Sequence, residues 1–95
     1  TNISFYEFEK YTNEWFINKN ITTSLDIIYQ IYKKGYSVMD ILDSYFTFIK
    51  ITTILDENIK YKIIKVILKY IAFFHTLHEN EIELAFFTNE LIKLL

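Results

Sequence analysis

The chain of 95 residues contains no cysteine and no proline, and its only glycine is Gly35. The absence of cysteine excludes a disulfide framework and a thiolate zinc site. The absence of proline and the scarcity of glycine remove the residues that most often break a helix, which favours long helices. A phosphate-cradling loop needs several glycines so that backbone N–H groups can approach the anion, and a single glycine excludes such a loop.

An excess of charge and a long uninterrupted apolar run are also missing. The net charge is −2, which gives no reason to expect a surface for nucleic acid or for an anionic membrane. The densest apolar run, from Ile63 to Phe74, is interrupted by Lys65 and Lys69 and is too short and too charged to span a bilayer. The first residues lack the basic region and the cleavage site of a signal peptide. The length predicts one small domain.

The single glycine lies between two stretches of helical periodicity. Gly35 can adopt the left-handed conformation that ends a helix, and it is expected to be the only helix stop of its kind in the chain. Two residues later, Ser37 is a typical N-cap for a new helix, with Asp40 as its capping partner three residues on. Because this connection is so short, we expect the flanking helices to pack as neighbours.

Apolar residues recur at helical spacing along the whole chain. Helices are predicted at about residues 1–18, 22–34, 37–52, 56–77 and 80–95. The last predicted helix is apolar on more than one side, which indicates either a central place in the bundle or contact with a partner. With no strand, linker or internal repeat, the predicted fold class is all-α, a compact bundle of about five helices.

Two groups of polar residues resemble binding sites and have simpler explanations. His75 and His78 are spaced i, i+3 and could ligate a metal, but histidines near the end of a long helix also interact with its free carbonyls. Lys62, Lys65 and Lys69 could follow a nucleic-acid backbone, but three lysines on a net acidic domain are typical of a solvated helix face. We favour the simpler explanation in both cases, so no catalytic, cofactor or metal residue is predicted.

The stretch around Gly35 also resembles a known family. IYKKGYSVMDILDSYFTFIK is similar to the C-terminal domain of the small subunits of replication factor C, the clamp loader of eukaryotes and archaea. In that family a helix ends in glycine followed by Tyr-Ser and then by Asp-Ile. The corresponding residues here are Gly35, Tyr36, Ser37, Asp40 and Ile41. IKYKIIKVILKYIAFFH likewise resembles the family's lysine-containing helix, which leads into a Phe-x-His element, and the resemblance covers about residues 25–95.

The chain departs from the family pattern at three positions. Ala72 and Glu81 stand where the family usually has glycine, and Phe87 stands where a glutamine is common. These departures indicate a divergent member and leave the helix plan intact.

The resemblance implies that residues 1–95 are the collar, the C-terminal oligomerisation domain of a longer AAA+ clamp-loader subunit. In that family, five subunits join through their collars into a ring that loads a sliding clamp onto primer-template DNA. The implied partners are therefore other clamp-loader subunits, while the clamp and DNA are contacted by the rest of the protein. ATP and magnesium are expected only in separate ATPase modules, so this domain is not expected to be an enzyme. The implied location is nuclear in a eukaryote and otherwise cytosolic.

Four apolar residues outside the predicted core stripes are candidates for a subunit interface: Tyr36, Phe48, Phe86 and Ile92. The alternative is that they complete the core of a small domain. A second functional hypothesis is a stand-alone helical adaptor that binds a peptide in a groove between helices. An adaptor should show one concave apolar cleft, whereas a ring subunit should show two separate apolar patches, because ring contacts are heterologous.

Overall fold

The computed structural model describes residues 3–74 and 80–95, and within these ranges the chain forms helices and no strand. The five helices are α1 (Phe5–Thr12), α2 (Ile21–Lys33), α3 (Val38–Ile51), α4 (Glu57–Phe74) and α5 (Ile82–Lys93). The predicted fold class, an all-α bundle of about five helices, is confirmed.

The chain continues from α1 into a π-helical turn at Asn13–Ile17, which the periodicity of the sequence did not predict. The N–H of Asn18 donates to the carbonyl of Asn13 at 3.0 Å, so the turn contains one more residue than an α-helical turn. Tyr11 and Trp15 are both fully buried on this segment.

The π-helical turn is followed by Lys19, whose φ of 54° lies in the left-handed region. The N–H of Asn20 then donates to the carbonyl of Glu14 at 2.9 Å, and the Asn20 side chain caps α2 by accepting from the N–H of Thr23 at 3.1 Å. The expectation that Gly35 is the only stop of this kind is therefore wrong. The left-handed position is occupied by lysine at a conformational cost of about 1–2 kcal/mol.

Gly35 ends α2 with a φ of 105°, and its N–H donates to the carbonyl of Tyr32 at 3.0 Å. Ser37 begins α3 by accepting the N–H of Asp40 on its hydroxyl oxygen at 3.0 Å. This corner is also tied to α1, because the ammonium of Lys34 lies 3.5 Å from the carboxylate of Glu7.

The later helices also begin at short polar side chains. The carboxylate of Asp56 accepts the N–H of Ile59 at 2.9 Å at the start of α4. The side-chain oxygen of Asn80 accepts the N–H of Ile82 at 3.0 Å at the start of α5. These bonds satisfy backbone donors that the first turn of a helix leaves free.

The helices close around one core. α3 packs against α4, α4 against α5, α5 against α2 and α2 against α1, and α1 contacts α3. The largest fully buried side chains are Phe8, Tyr11, Trp15, Ile28, Ile31, Ile41, Leu42, Tyr45, Ile49, Ile63, Ile67 and Phe87. α5 also contacts the π-helical turn that follows α1.

Phe48 belongs to this core. Its side chain is 2% exposed, and its ring lies 5.9 Å from the ring of Phe8 and 5.8 Å from that of Tyr45. The prediction that Phe48 lies off the core is wrong, because α1 crosses α3 on the side where Phe48 projects. The sequence of α3 alone does not contain that information.

Candidate interaction surfaces

The four predicted interface residues differ widely in exposure. Phe86 is 50% exposed on the outer side of α5. Tyr36 and Ile92 are half-buried and pack against the core, and Phe48 is buried. Only Phe86 therefore presents a large apolar surface to a partner.

The outer side of α5 carries a second exposed apolar residue. Ile82 is 50% exposed and lies one turn before Phe86, so the two side chains share one side of the helix. Glu81 and Glu83 flank them at the start of the helix. We call Ile82 and Phe86 the α5 face; it is an apolar surface with acidic residues beside it.

The outer side of α4 carries a comparable surface that the sequence analysis missed. Tyr61 is 66% exposed and Leu68 is 50% exposed, and we call these two residues the α4 face. Between them, the ammonium of Lys65 lies 5.5 Å from the centre of the Tyr61 ring. Tyr61, Ile64 and Leu68 follow a second apolar spacing of i, i+3, i+7, which the sequence contains beside the spacing of the lysines.

A third apolar surface is a groove between α1 and α3. One cavity of about 430 Å³ is lined by Ile3, Phe5, Ser44 and Thr47. A second, of about 210 Å³, lies beside it and is lined by Phe5 and Ile51 among other residues. Phe5 is 38% exposed and Ile51 is 61% exposed.

These exposed residues form separate surfaces. The α5 face lies on a helix that packs against α2, α4 and the π-helical turn, whereas the groove lies between α1 and α3. The α4 face lies on the helix between them. Over the residues that the structure describes, the α5 face, the α4 face and the groove are three separate apolar surfaces, and the groove is the kind of cleft expected for an adaptor.

The three lysines of α4 are not equivalent. The ammonium of Lys69 lies 2.9 Å from a carboxylate oxygen of Glu90 on α5, and the hydroxyl of Tyr70 donates to the same oxygen at 3.0 Å. Burial and then the hydrogen bond to Glu90 raise the pKa of the Tyr70 hydroxyl above its usual range. Because Glu90 neutralises Lys69, the charge available to follow a phosphate backbone is smaller than the sequence indicated.

The described part of the chain was compared with the requirements of a membrane-spanning helix and of a metal site, and it meets neither. No helix there is long and apolar enough to cross a membrane. Within the same residues, no three His, Cys, Asp or Glu side chains gather where they could hold a metal ion. The pair His75 and His78 lies outside the described residues.

One comparison with known proteins matches this chain. The model of the replication factor C C-terminal domain family matches residues 10–94. The match begins within α1 and runs through α5. Searches of curated proteins and of solved structures found no match.

Proposed function

The chain belongs to the replication factor C C-terminal domain family, and we propose that it joins clamp-loader subunits through contacts between such domains. The partners are the other subunits of a heteropentameric clamp loader, which loads the sliding clamp onto primer-template DNA during replication. The domain contributes assembly, and the driving force is burial of apolar helix surface between neighbours.

The observation that carries this proposal is the presence of separate exposed apolar surfaces on one small bundle. A ring requires each subunit to offer two different surfaces, one to each neighbour. The α5 face and the groove between α1 and α3 lie on different helices, and the α4 face adds a third surface. Membership of the replication factor C family supports a clamp loader as the assembly in which these surfaces are used.

Under this proposal, ATP binding and the contacts with the sliding clamp and DNA belong to other parts of the protein. The chain is then the C-terminal part of a longer AAA+ subunit, whose other modules bind ATP and magnesium. Those modules, with the rest of the complex, contact the sliding clamp and the DNA. A eukaryotic member would work in the nucleus.

The groove between α1 and α3 supports a second candidate, a stand-alone adaptor that binds a peptide. A helix or extended segment could insert an apolar side chain into the cavity lined by Ile3 and Phe5. Under this hypothesis, Phe5→Ala would weaken binding of a partner peptide, and substitutions on the α4 and α5 faces would not matter. Under the assembly hypothesis, substitutions on those faces reduce association with other subunits.

Co-expression of the full-length protein with the other clamp-loader subunits tests the proposal. The complete complex should elute as one species from a size-exclusion column. Deletion of residues 1–95 should release the truncated subunit from that species. If the truncated subunit remains in the complex at an undiminished level, the domain is not the assembly element.

A further inference from the structure

The groove between α1 and α3 can accept a large apolar side chain. Its larger cavity has a volume of about 430 Å³, within the range of about 300–1,000 Å³ that is typical of ligand sites. The ring of Phe5 forms one wall and lies edge-on to the ring of Phe48, with 5.6 Å between the two ring centres. Phe48 is buried in the core, so this contact holds Phe5 in place while part of its side chain stays exposed. The apolar wall therefore exists before a partner binds.

The smaller cavity of the groove favours a cation. It has a volume of about 210 Å³, and Glu9 contributes a carboxylate to its lining. Helix α3 ends at Ile51, which also lines this cavity, and the C-terminal end of a helix carries partial negative charge. Because Phe5 lines both cavities, a cation bound here would lie beside an apolar side chain in the larger one.

Acidic residues border the groove on both helices. On α3, Asp40 lies one turn before Ser44 of the larger cavity. Asp43 lies one turn before Thr47 of the same cavity, and Glu9 lies on α1. All three acids are exposed, and none of their carboxylates forms an ion pair within the described residues. The border therefore carries negative charge that the described part of the chain leaves uncompensated.

The lysines next to the groove in sequence have other contacts. The ammonium of Lys10 lies 4.0 Å from a carboxylate oxygen of Glu7 and 5.0 Å from the centre of the Tyr6 ring. The ammonium of Lys50 lies 4.6 Å from the centre of the Phe46 ring. Neither aromatic ring lines the two cavities. These contacts direct both ammonium groups away from the acidic border.

We propose that the groove between α1 and α3 binds a peptide segment of a partner protein, in which a large apolar residue lies next to a lysine or arginine. The apolar side chain enters the cavity beside Phe5, and the cation lies against Glu9 at the end of α3. The inference deepens the adaptor candidate of the proposed function and rests on it for its biological purpose. The α4 and α5 faces remain available for neighbouring subunits.

A basic peptide fits the groove better than nucleic acid or a second copy does. The phosphates of a nucleic acid would meet the carboxylates of Glu9, Asp40 and Asp43, whereas nucleic-acid surfaces of proteins are basic. A second copy of this chain has a net charge of −2, which gives it no overall attraction for an acidic groove. Charge complementarity therefore selects a basic segment of a different protein.

Selection from a random peptide display library tests what the groove accepts. The 95-residue chain is the bait, and Thr47→Arg is the counter-bait, because arginine puts a cation and a long side chain at the larger cavity. Thr47 is exposed on α3, so the variant should fold as the unchanged chain does, and circular dichroism checks this. Peptides enriched on the unchanged chain alone should share a large apolar residue next to lysine or arginine. Equal enrichment on both baits, or enrichment of acidic peptides, would overturn the inference.

Titration calorimetry with the most enriched peptide separates the two parts of the site. Phe5→Ala removes the apolar wall and should weaken binding by at least about tenfold. Glu9→Lys should weaken binding by a similar factor, and Glu9→Gln should weaken it less. Added salt should reduce the affinity of the unchanged chain more than that of Glu9→Gln, because the contact with the cation is electrostatic.

Two substitutions on the exposed side of α2 are the controls. Asp26→Lys makes the same change of charge as Glu9→Lys, and Gln30→Glu adds one acid. Neither position lines the groove, so both variants should bind the peptide as the unchanged chain does. Equal weakening in Asp26→Lys and Glu9→Lys would show that only net charge matters, and it would overturn the assignment to the groove.

Amide NMR spectra locate the bound peptide on the chain. The signals of Phe5, Thr47 and Ile51 should shift when the peptide is added, and those of Tyr61 and Leu68 on the α4 face should not. Shifts confined to the α4 face or the α5 face would place the peptide elsewhere and contradict the inference.

The outcomes separate this inference from the assembly role. If the full-length protein joins the clamp loader but no peptide binds the groove, the inference fails and the assembly role stands. If the peptide binds but the full-length protein does not join clamp-loader subunits, the assembly role fails. If Thr47→Arg removes the full-length protein from the complex, or abolishes self-association of the chain, the groove is a contact between subunits and the inference is overturned.

Discussion

The hydroxyl of Tyr45 on α3 accepts a hydrogen bond from the indole N–H of Trp15 at 3.0 Å. The same hydroxyl lies 2.7 Å from the hydroxyl of Thr12, and all three residues are fully buried. A second buried bond joins the hydroxyl of Tyr11 to that of Thr88 on α5 at 2.6 Å. Since Thr88 donates to the carbonyl of Leu84, its oxygen accepts from Tyr11. These bonds fix the segment from α1 through the π-helical turn against α3 and α5.

Removing the Tyr45 hydroxyl should therefore be costly. Tyr45→Phe leaves the Trp15 N–H buried without its acceptor, and the expected loss is about 1–3 kcal/mol in the free energy of unfolding. Urea denaturation followed by circular dichroism measures it. Tyr61→Phe is the matched control, because its hydroxyl is on a side chain that is 66% exposed. Equal effects at the two positions would contradict the role given to this hydroxyl.

The buried tyrosines also predict how stability depends on alkaline pH. Burial raises the pKa of both Tyr11 and Tyr45 above the ordinary value of 10.0, and the nearby Tyr45 adds to the increase for Tyr11. The unfolded chain therefore releases these protons at lower pH than the folded chain does. The contribution of Tyr11 and Tyr45 to the free energy of unfolding is therefore constant well below pH 10 and declines as the pH rises above 10.

Urea titrations at a series of alkaline pH values check this dependence. The free energy of unfolding should fall steeply above the ordinary tyrosine pKa in the unchanged chain, and less steeply in Tyr11→Phe. A slope that is identical in the two chains would show that Tyr11 does not contribute. Tyr61→Phe again serves as the exposed comparison.

The left-handed residue Lys19 offers a stabilising substitution. Lys19→Gly removes the Cβ clash, which should raise the free energy of unfolding by about 1–2 kcal/mol. The greater conformational freedom of glycine in the unfolded chain should lower it by about 0.5–1 kcal/mol. We expect a net gain of up to about 1 kcal/mol in the free energy of unfolding. Asn18→Gly is the control, since Asn18 has a right-handed φ of −83° and should lose stability. A loss in Lys19→Gly would contradict the left-handed geometry.

Gly35 should respond in the opposite direction. An added Cβ at this position has no heavy atom within 4 Å, so only the backbone conformation opposes a larger side chain. Gly35→Ala should cost about 1 kcal/mol, and Gly35→Val should cost more because of its branched Cβ. Thermal unfolding of the two variants measures the order. Unchanged stability in Gly35→Val would be incompatible with the φ of 105°.

Phe48 and Phe86, both proposed from the sequence as interface residues, should behave differently. Phe48→Ala opens a cavity in the core and should cost about 3–5 kcal/mol in the free energy of unfolding. Phe86→Ala acts on a half-exposed ring and should change that free energy by much less. Denaturant unfolding of both variants gives the comparison. A large loss of unfolding free energy in Phe86→Ala with little loss in Phe48→Ala would contradict the burial of Phe48 and the exposure of Phe86.

The local features of this fold could be predicted from the sequence because their causes are local. Gly35, Ser37 and Asp56 end or begin helices through their own backbone or side-chain atoms. Helical periodicity likewise identified the all-α class. The left-handed Lys19 and the π-helical turn escaped prediction, since no residue type in this segment signals either conformation.

The surfaces were harder to predict than the helices. Which apolar residues remain exposed depends on which helices are neighbours, and periodicity along one helix does not show that. Phe48 is covered by its contact with Phe8 on α1, whereas Tyr61 and Leu68 face away from both neighbours of α4. The sequence identified the family through the residues around Gly35, but the family name did not reveal these surfaces.

The mass of the clamp-loader complex, measured by light scattering after co-expression of the full-length protein with its partner subunits, tests the assembly role most directly. Phe86→Asp should remove this subunit from the complex or reduce its share by at least about tenfold, a loss of about 1.4 kcal/mol in association. Gln30→Glu should leave the complex complete. A complex of unchanged mass and composition with Phe86→Asp, in a chain shown to be folded, would contradict an assembly role for the α5 face.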